Sequence, residues 1–332
     1  MRRRAWTPVA AVGAVLAIGL GVVIGGCSDD ETTLTVMSFN VYGGGANEDK
    51  PIDETVAAIE TVDPDIVGIQ ETRLEGTPCT AKSCPPAGPS VAGKIAKELG
   101  YEHYEQPYDE DEPFAQQALW ANAILSKYPI EGPTAHDLGA EIDVDGQSVF
   151  AFNVHLDDSP YQPYQLVDIP YGGAPFIDTE KEAVRFARDT RGPAIELLKQ
   201  ELKQADDADA TFVFGDFNEP SGHDWTSDAV EAGQQPVEVA WPTTLALEDE
   251  GFVDTYRDAN PDPVENPAFT WTPTSKPSNP NDHHDRIDFV LARADDLTVD
   301  DAAIVGEGGP STDVVVDPWP SDHRASSATV SF

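Results

Sequence analysis

His283-His284-Asp285-Arg286-Ile287-Asp288-Phe289-Val290-Leu291 (283–291) and, after a spacer, Ser321-Asp322-His323-Arg324-Ala325 (321–325) each set a carboxylate and an imidazole beside an apolar, strand-like run. Proton transfer at neutral pH falls mostly to His and carboxylates, and a carboxylate that holds the imidazole tautomer is the usual companion. Asp288 is expected to orient His323, with Asp322 facing a metal or a phosphate. Four upstream segments repeat the pattern. Ser38-Phe39-Asn40 follows Leu34-Thr35-Val36-Met37, and Gln70-Glu71 follows Asp65-Ile66-Val67-Gly68-Ile69. Asn153-Val154-His155-Leu156 follows Val149-Phe150-Ala151-Phe152, and Gly215-Asp216-Phe217-Asn218 follows Thr211-Phe212-Val213-Phe214. A short apolar run bounded by polar or turn residues reads as a buried strand. Polar residues at the mouths of neighbouring strands converge in space, so six such runs predict one site built on a sheet scaffold.

The ordered set resembles the endonuclease/exonuclease/phosphatase superfamily, the DNase I-like metal-dependent phosphoesterases, over Leu34 to Phe332. Gly215-Asp216-Phe217-Asn218, Arg286-Ile287-Asp288-Phe289 and Ser321-Asp322-His323 carry most of the likeness. Ala123-Ile124-Leu125-Ser126-Lys127-Tyr128-Pro129-Ile130 is similar to a strand–turn segment of that family. Alternating strand and helix patterns already place the chain in the α/β (α+β) class. The resemblance implies a four-layered sandwich of two packed mixed β-sheets flanked by helices.

It also implies a function for eight positions. Hydrolysis of a phosphate ester needs an activated in-line water, neutralised phosphoryl oxygens and help for the leaving oxygen. Oxygen ligands favour Mg²⁺, with Mn²⁺ or Ca²⁺ as alternatives. Glu71 is the expected principal ligand, with Asn40 close by and Asp322 as a second carboxylate. Asp216 would orient or deprotonate the attacking water, and Asn218 and His155 would donate to non-bridging oxygens. Asp288 would hold the ring of His323, whose role as base or as transition-state stabiliser depends on its protonation.

At 332 residues, with no linker of Gly, Ser or Pro separating two halves, one large domain is expected. Arg2-Arg3-Arg4, an apolar stretch from Val9 to Ile24 and Gly25-Gly26-Cys27 have the order of an export signal. The Cys after small residues resembles a bacterial lipobox. It implies a signal over 1–26, a lipidated Cys27 with a short tether over 27–33, a catalytic domain over 34–332, and a surface or membrane-anchored location outside the cytoplasm. An uncleaved anchor is the competing reading, although the stretch is short of the roughly 20 residues a spanning helix needs. Cys79 and Cys84 lie in a loop rich in Pro, Gly and Ser, where a loop-closing disulfide is the simplest pairing outside the cytosol. A zinc site would need more ligands than this neighbourhood supplies.

Sixty acidic residues against twenty basic ones give a net charge of −40. Loss of Arg2–Arg4 with the leader would leave 17 basic residues, near −43. Such an excess fits a high-salt habitat or simply an acidic exported protein. It argues against a polyanionic partner, because affinity for duplex DNA comes largely from Lys and Arg on phosphates. A small phosphodiester, a phosphomonoester or a phospholipid headgroup therefore ranks above nucleic acid, with extracellular DNA or RNA scavenging as runner-up. A catalytically silent surface binding protein is the third reading, and no protein partner is implied.

Asp53 is expected to cap a helix to Val62, and Thr179–Gln204 to form a long helix that Arg191-Gly192-Pro193 interrupts. Residues 134–156 predict a hairpin turning at Asp145-Gly146. Residues 157–178, 219–250 and 259–285 read as long loops. Tyr161, Tyr164, Tyr171, Trp225, Trp241 and Trp271 within them either pin the loops to the body or line a rim that grips an organic substrate. Arg286 reads as structural. Arg73 either meets phosphate or pairs with a carboxylate, and His283 and His284 pack loops or face solvent.

Overall fold

Among the described residues are thirteen strands, the central ones near-continuous apolar runs between turn signals. They are β1 (Thr33–Asn40), β2 (Ile66–Gln70), β3 (Glu102–Glu105), β4 (Ala123–Ser126), β5 (Ile130–Pro133), β6 (Gly139–Val144) and β7 (Gln147–His155). β8 (Ala210–Asp216), β9 (Val253–Asp254), β10 (Asp288–Ala294), β11 (Thr298–Gly306), β12 (Val314–Val315) and β13 (Ala325–Ser331) follow. The computed structural model describes residues 31–74, 88–107, 121–276 and 278–332. Residues Thr32–Phe332 form one unit. The expected leader, Cys27, Cys79 and Cys84 lie outside the described residues. Among those described, no helix is long and apolar enough to cross a membrane.

One sheet has seven strands in the order β12-β11-β13-β1-β2-β4-β3, and the other has six in the order β5-β6-β7-β8-β10-β9. Both are mixed. β1 runs parallel to β2, and β7 parallel to β8, while β13 with β1 and β10 with β8 are antiparallel. The expected two-sheet architecture is present.

The central strands are apolar on both faces because both faces are covered. Val36, Ile66 and Ile124 of the larger sheet pack on Ala151, Phe212, Phe214 and Val290 of the smaller one. The alternate residues Met37, Phe39, Val67 and Ile69 face outward onto the helices Ile52–Val62 and Ala92–Leu99. On the other side Phe152, Val213 and Leu291 meet Ala194, Ile195 and Leu198 of the helix Glu180–Glu201. Helix, sheet, sheet and helix make the four layers. Gly68 marks a close approach of the sheets: a β-carbon there would lie 2.5 Å from Cβ of Phe214.

Local expectations fared unevenly. The hairpin turns at Asp145-Gly146. Asp53 does not cap its helix; Pro51 occupies the N-cap, and Asp53 and Glu54 stand in the first turn, where carboxylates favour the helix dipole. The helix Glu180–Glu201 runs unbroken through Pro193. Pro193 removes the amide that would bond the carbonyl of Asp189, an exposed position that water can satisfy, while Ala187, Ala194, Ile195 and Leu198 continue one buried stripe. Packing outweighs the local break. The loops read over 157–178 and 219–250 contain short helices at Gln162–Leu166, Ser227–Glu231 and Pro242–Glu248. Pro163 and Pro242 sit in their first turns, a position where proline starts a helix rather than breaks it.

Candidate active site

Strand register brings the polar segments to one rim. Asn40 at the end of β1 is level with Gln70 at the end of β2, and Glu71 is the next residue. His155 ends β7 beside Asp216, which ends β8, and Asp216 in turn is level with Asp288, the first residue of the antiparallel β10. β13 runs antiparallel to β1, so His323, just ahead of it, arrives at the same rim. Ser321 fastens that segment: its Oγ donates to the carbonyl of Asn40 (2.7 Å) and accepts from the amide of His323 (3.1 Å). Two residues here hold left-handed backbone, Glu71 (φ 53°) and Asn218 (φ 48°). Non-glycine residues in that region cost of order 1–3 kcal/mol and collect at functional sites.

The side chains interlock. Asn40 Nδ2 donates to Glu71 Oε1 (3.0 Å) and to Asp216 Oδ2 (3.1 Å). His155 Nε2 lies 3.5 Å from Asp216 Oδ2 and 3.9 Å from Glu71 Oε1. His323 Nδ1 is 3.0 Å from Asp288 Oδ2, and its Nε2 is 3.6 Å from Asp216 Oδ2. The amide of Asn218 donates to Asp216 Oδ1 (2.9 Å), while its Nδ2 is turned to the carbonyl of Leu156 (3.0 Å). The ring of Trp271 rests 4.8 Å from that of His323.

Burial of so many carboxylates has an electrostatic consequence. Desolvation, with Asp322 and Asp216 adding repulsion, pushes the carboxyl of Glu71 up to about 8. Desolvation likewise lifts Asp322 to about 6 and raises Asp288. Burial alone would lower His323, but Asp288 and Asp216 hold it well above the ordinary histidine range, in its charged form. Glu71 Oε2 and Asp322 Oδ1 are buried without a hydrogen-bond partner among the described residues. Glu71, His155 and Asp216 present ligand atoms within 4.8 Å of one another, as do Asp216, Asp288 and His323. Orphaned buried carboxylate oxygens that resist ionisation fit a site made for a hard divalent cation. Glu71, with Asn40 and Asp322 beside it, offers the all-oxygen donors that such a cation prefers.

A second group of residues holds the first in place. Gln70 Nε2 donates to Asn153 Oδ1 (2.6 Å), and Asn153 Nδ2 donates to the carbonyls of Ile69 and Ala123 (both 2.9 Å), stitching the two sheets below the rim. Arg286 is structural: its guanidinium is buried, pairs with Asp224 and Asp254, and lies 4.7 Å over the ring of Phe289. Arg73 pairs with Glu105. His283 bonds Gln235 and stacks edge-on to Trp225, and His284 bonds Ser275. Trp225 and Tyr161 both donate to Asp285, and Trp225 and Trp241 pack at right angles in the interior, so these aromatics pin loops. Trp271 and Tyr171 instead stay at the mouth.

Reading the sequence missed Thr270 and Asp158. Thr270 Oγ1 accepts the amides of Ile287 and Asp288, and its carbonyl accepts that of Arg324, so one residue ties both ends of the His323–Asp288 pair. A threonine in Phe269-Thr270-Trp271-Thr272 has no chemical signal of that role. Asp158, three residues past His155, was legible only as part of an acidic pair.

The comparisons with known proteins agree with the geometry. The profile described as "Endonuclease/Exonuclease/phosphatase family" matches residues 37–323. An uncharacterized Caenorhabditis elegans protein, F14F9.5, is 26% identical over 275 residues, covering 78% of each chain. Among solved structures, an endonuclease/exonuclease/phosphatase from Beutenbergia cavernae superposes with a TM-score of 0.50 at 18% identity, over 90% of this chain and 71% of that one. A family protein from Leptotrichia buccalis gives 0.50 at 13% identity, over 90% of this chain and all (100%) of that one. At these identities the structural likeness speaks for the fold.

Proposed function

We propose, for a chain that belongs to the endonuclease/exonuclease/phosphatase family and is a metal-dependent phosphoesterase, the role of a surface-anchored phosphodiesterase acting on a small phosphodiester or a phospholipid headgroup. The observation that carries the reading is the meeting of Glu71, Asp216 and the His323–Asp288 pair at one rim of a chain with net charge −40. A polyanionic substrate would be repelled by that charge, while one small phosphate ester is neutralised by a single cation.

Glu71 and Asp322, with Asn40 alongside, would hold Mg²⁺. The ion, when bound, neutralises phosphoryl oxygens and the alkoxide that leaves. Asn40 positions the carboxylates of Glu71 and Asp216 by donating to both. Asp216 accepts a proton from the attacking water and aligns it with phosphorus. His323, kept charged by Asp288 at Nδ1, presents Nε2–H to a non-bridging oxygen as charge gathers there. His155, whose Nε2 also lies beside Asp216 Oδ2, would donate to the non-bridging oxygens as well. Asn218 would reach the same oxygens by releasing the carbonyl of Leu156.

Export and lipidation at Cys27 complete the proposal, carried by the order of Arg2-Arg3-Arg4, the apolar stretch and Gly25-Gly26-Cys27. An extracellular nuclease is the second reading, consistent with the family and opposed by the charge.

The test is hydrolysis by residues 33–332, with Mg²⁺, at low and at molar salt. The panel holds a synthetic diester, a monoester, a phospholipid and DNA, with His323→Ala and Glu71→Gln as controls. Metal-dependent turnover of the small diester or the phospholipid, lost in both variants, is expected. A preference for DNA would move the assignment to the nuclease, and folded protein inert on every ester would sink the enzymatic role.

A further inference from the structure

Beyond the metal side of the mouth, a row of aromatic rings runs from His323 to the surface. Trp271 touches the His323 ring at 4.8 Å and donates from Nε1 to the hydroxyl of Tyr164 (3.2 Å). Tyr164 meets Tyr171 edge-on at 5.8 Å. Tyr171 is 37% exposed, and its hydroxyl donates to Asp158 Oδ2 at 2.5 Å. The other oxygen, Asp158 Oδ1, is buried and has no hydrogen-bond partner among the described residues. The row joins the candidate site at its Trp271 end, where that ring rests on His323.

What such a surface can bind follows from its charges. Ring faces carry negative electrostatic potential, and a carboxylate oxygen without a donor adds more. Of the basic groups nearby, His155 turns its Nε2 to Asp216 and Glu71, and Arg191 lies fully buried and is committed to Gln162 Oε1 (2.7 Å), the carbonyl of Pro160 (3.3 Å) and Glu219 (3.5 Å). Both reach Asp158 without cancelling the cost of burial, which still raises the Asp158 carboxyl. An anion is repelled by the rings and the carboxylate alike, and a neutral donor could bond Asp158 Oδ1 without gaining from the ring faces. An alkylated ammonium group is attracted to the rings and to the carboxylate charge together, and loses little hydration in doing so.

We propose that Asp158, Tyr171, Tyr164 and Trp271 form a subsite for an organic ammonium group carried by one of the two alcohols of the phosphodiester. The proposal rests on the phosphodiesterase reading and narrows its substrate to esters of amino alcohols. The phosphate lies at the metal and His323, and the cationic end of the alcohol extends along the aromatic row.

The test compares two diesters that differ in one atom's charge: p-nitrophenyl phosphocholine and its uncharged carbon isostere, p-nitrophenyl 3,3-dimethylbutyl phosphate, with Mg²⁺ and the native chain. The expected kcat/KM ratio is about tenfold or more in favour of the cation, the scale of a partly desolvated cation–π contact beside a carboxylate. In Asp158→Asn and Tyr171→Leu that ratio falls toward one. Equal turnover of both diesters by the native chain overturns the subsite and leaves the phosphodiesterase standing. Should neither diester turn over, calorimetric titration with choline against 3,3-dimethylbutanol decides. Choline binding lost in both variants supports the subsite, and no preference for choline overturns it. Glycerophosphocholine and phosphatidylcholine vesicles, run side by side, then separate a soluble source of the ammonium group from a lipid one.

Discussion

Nδ1 of His323 lies 3.0 Å from Oδ2 of Asp288, and both residues are buried. The carboxylate therefore accepts from Nδ1, keeps the ring charged and leaves Nε2–H facing outward. Asp288→Asn preserves size and removes the charge. We expect kcat to fall about 100-fold to 10,000-fold with little change in KM, since the loss is of transition-state stabilisation. NMR titration should show the His323 imidazole losing its proton at lower pH than in the native chain. An unchanged imidazole titration would mean that Asp288 only fills space.

Glu71 makes the metal-free protein sensitive to pH. Its folded-state carboxyl, near 8, lies above that of the unfolded chain, so the folded state holds the extra proton between those values. Stability must then decline as pH rises from the ordinary carboxylate range toward 8, on the order of a few kcal/mol. Divalent cations reverse the sign by rewarding the ionised form. Denaturation in EDTA between pH 5 and 8.5, repeated with Mg²⁺, tests this. Glu71→Gln should flatten the metal-free profile, and a native profile already flat would contradict the burial argument.

Arg286 pairs with Asp224 and Asp254 in the interior. Arg286→Met removes one cation, leaving Asp224 with Arg257 alone and Asp254 without its guanidinium partner, and loss of one member of a buried pair costs about 3–5 kcal/mol. Urea denaturation of the variant should show that loss. A loss below about 1 kcal/mol would place the network among surface-like, screened pairs.

Gly68→Ala tests how closely the sheets meet. With Phe214 Cβ 2.5 Å from the added carbon, the sheets must separate or Phe214 must shift. Overpacking of this kind costs about 1–3 kcal/mol. The denaturation midpoint should fall at unchanged slope, and a midpoint equal to the native value would show that the interface yields freely.

The fold and the site were legible where chemistry and periodicity fell on the same residues. Val36–Met37 and Val213–Phe214 read as strands because both sheet faces are covered, and Asn40, Glu71, Asp216, Asp288 and His323 stood out because each follows or precedes such a run. Pro193 misled because a helix break is a local preference, whereas the stripe through Ala187, Ala194 and Leu198 is a tertiary one. Asp53 misled by two residues, since Pro51 opens the helix with no side-chain bond. Thr270 could not be read, because its role lies in accepting backbone amides from a segment far along the chain.

The first and last strands of the larger sheet lie side by side, and their outer ends close on each other: Thr32 and Phe332 exchange backbone hydrogen bonds at 3.0 and 3.1 Å. β1 then runs its eight residues, about 26 Å at the usual rise, to deliver Asn40 to the catalytic rim. The hydrogen bonds that clasp Thr32 to Phe332 and the rim that gathers Asn40 thus stand at opposite ends of one strand, so the seam of the sheet is shut far from where its polar residues meet.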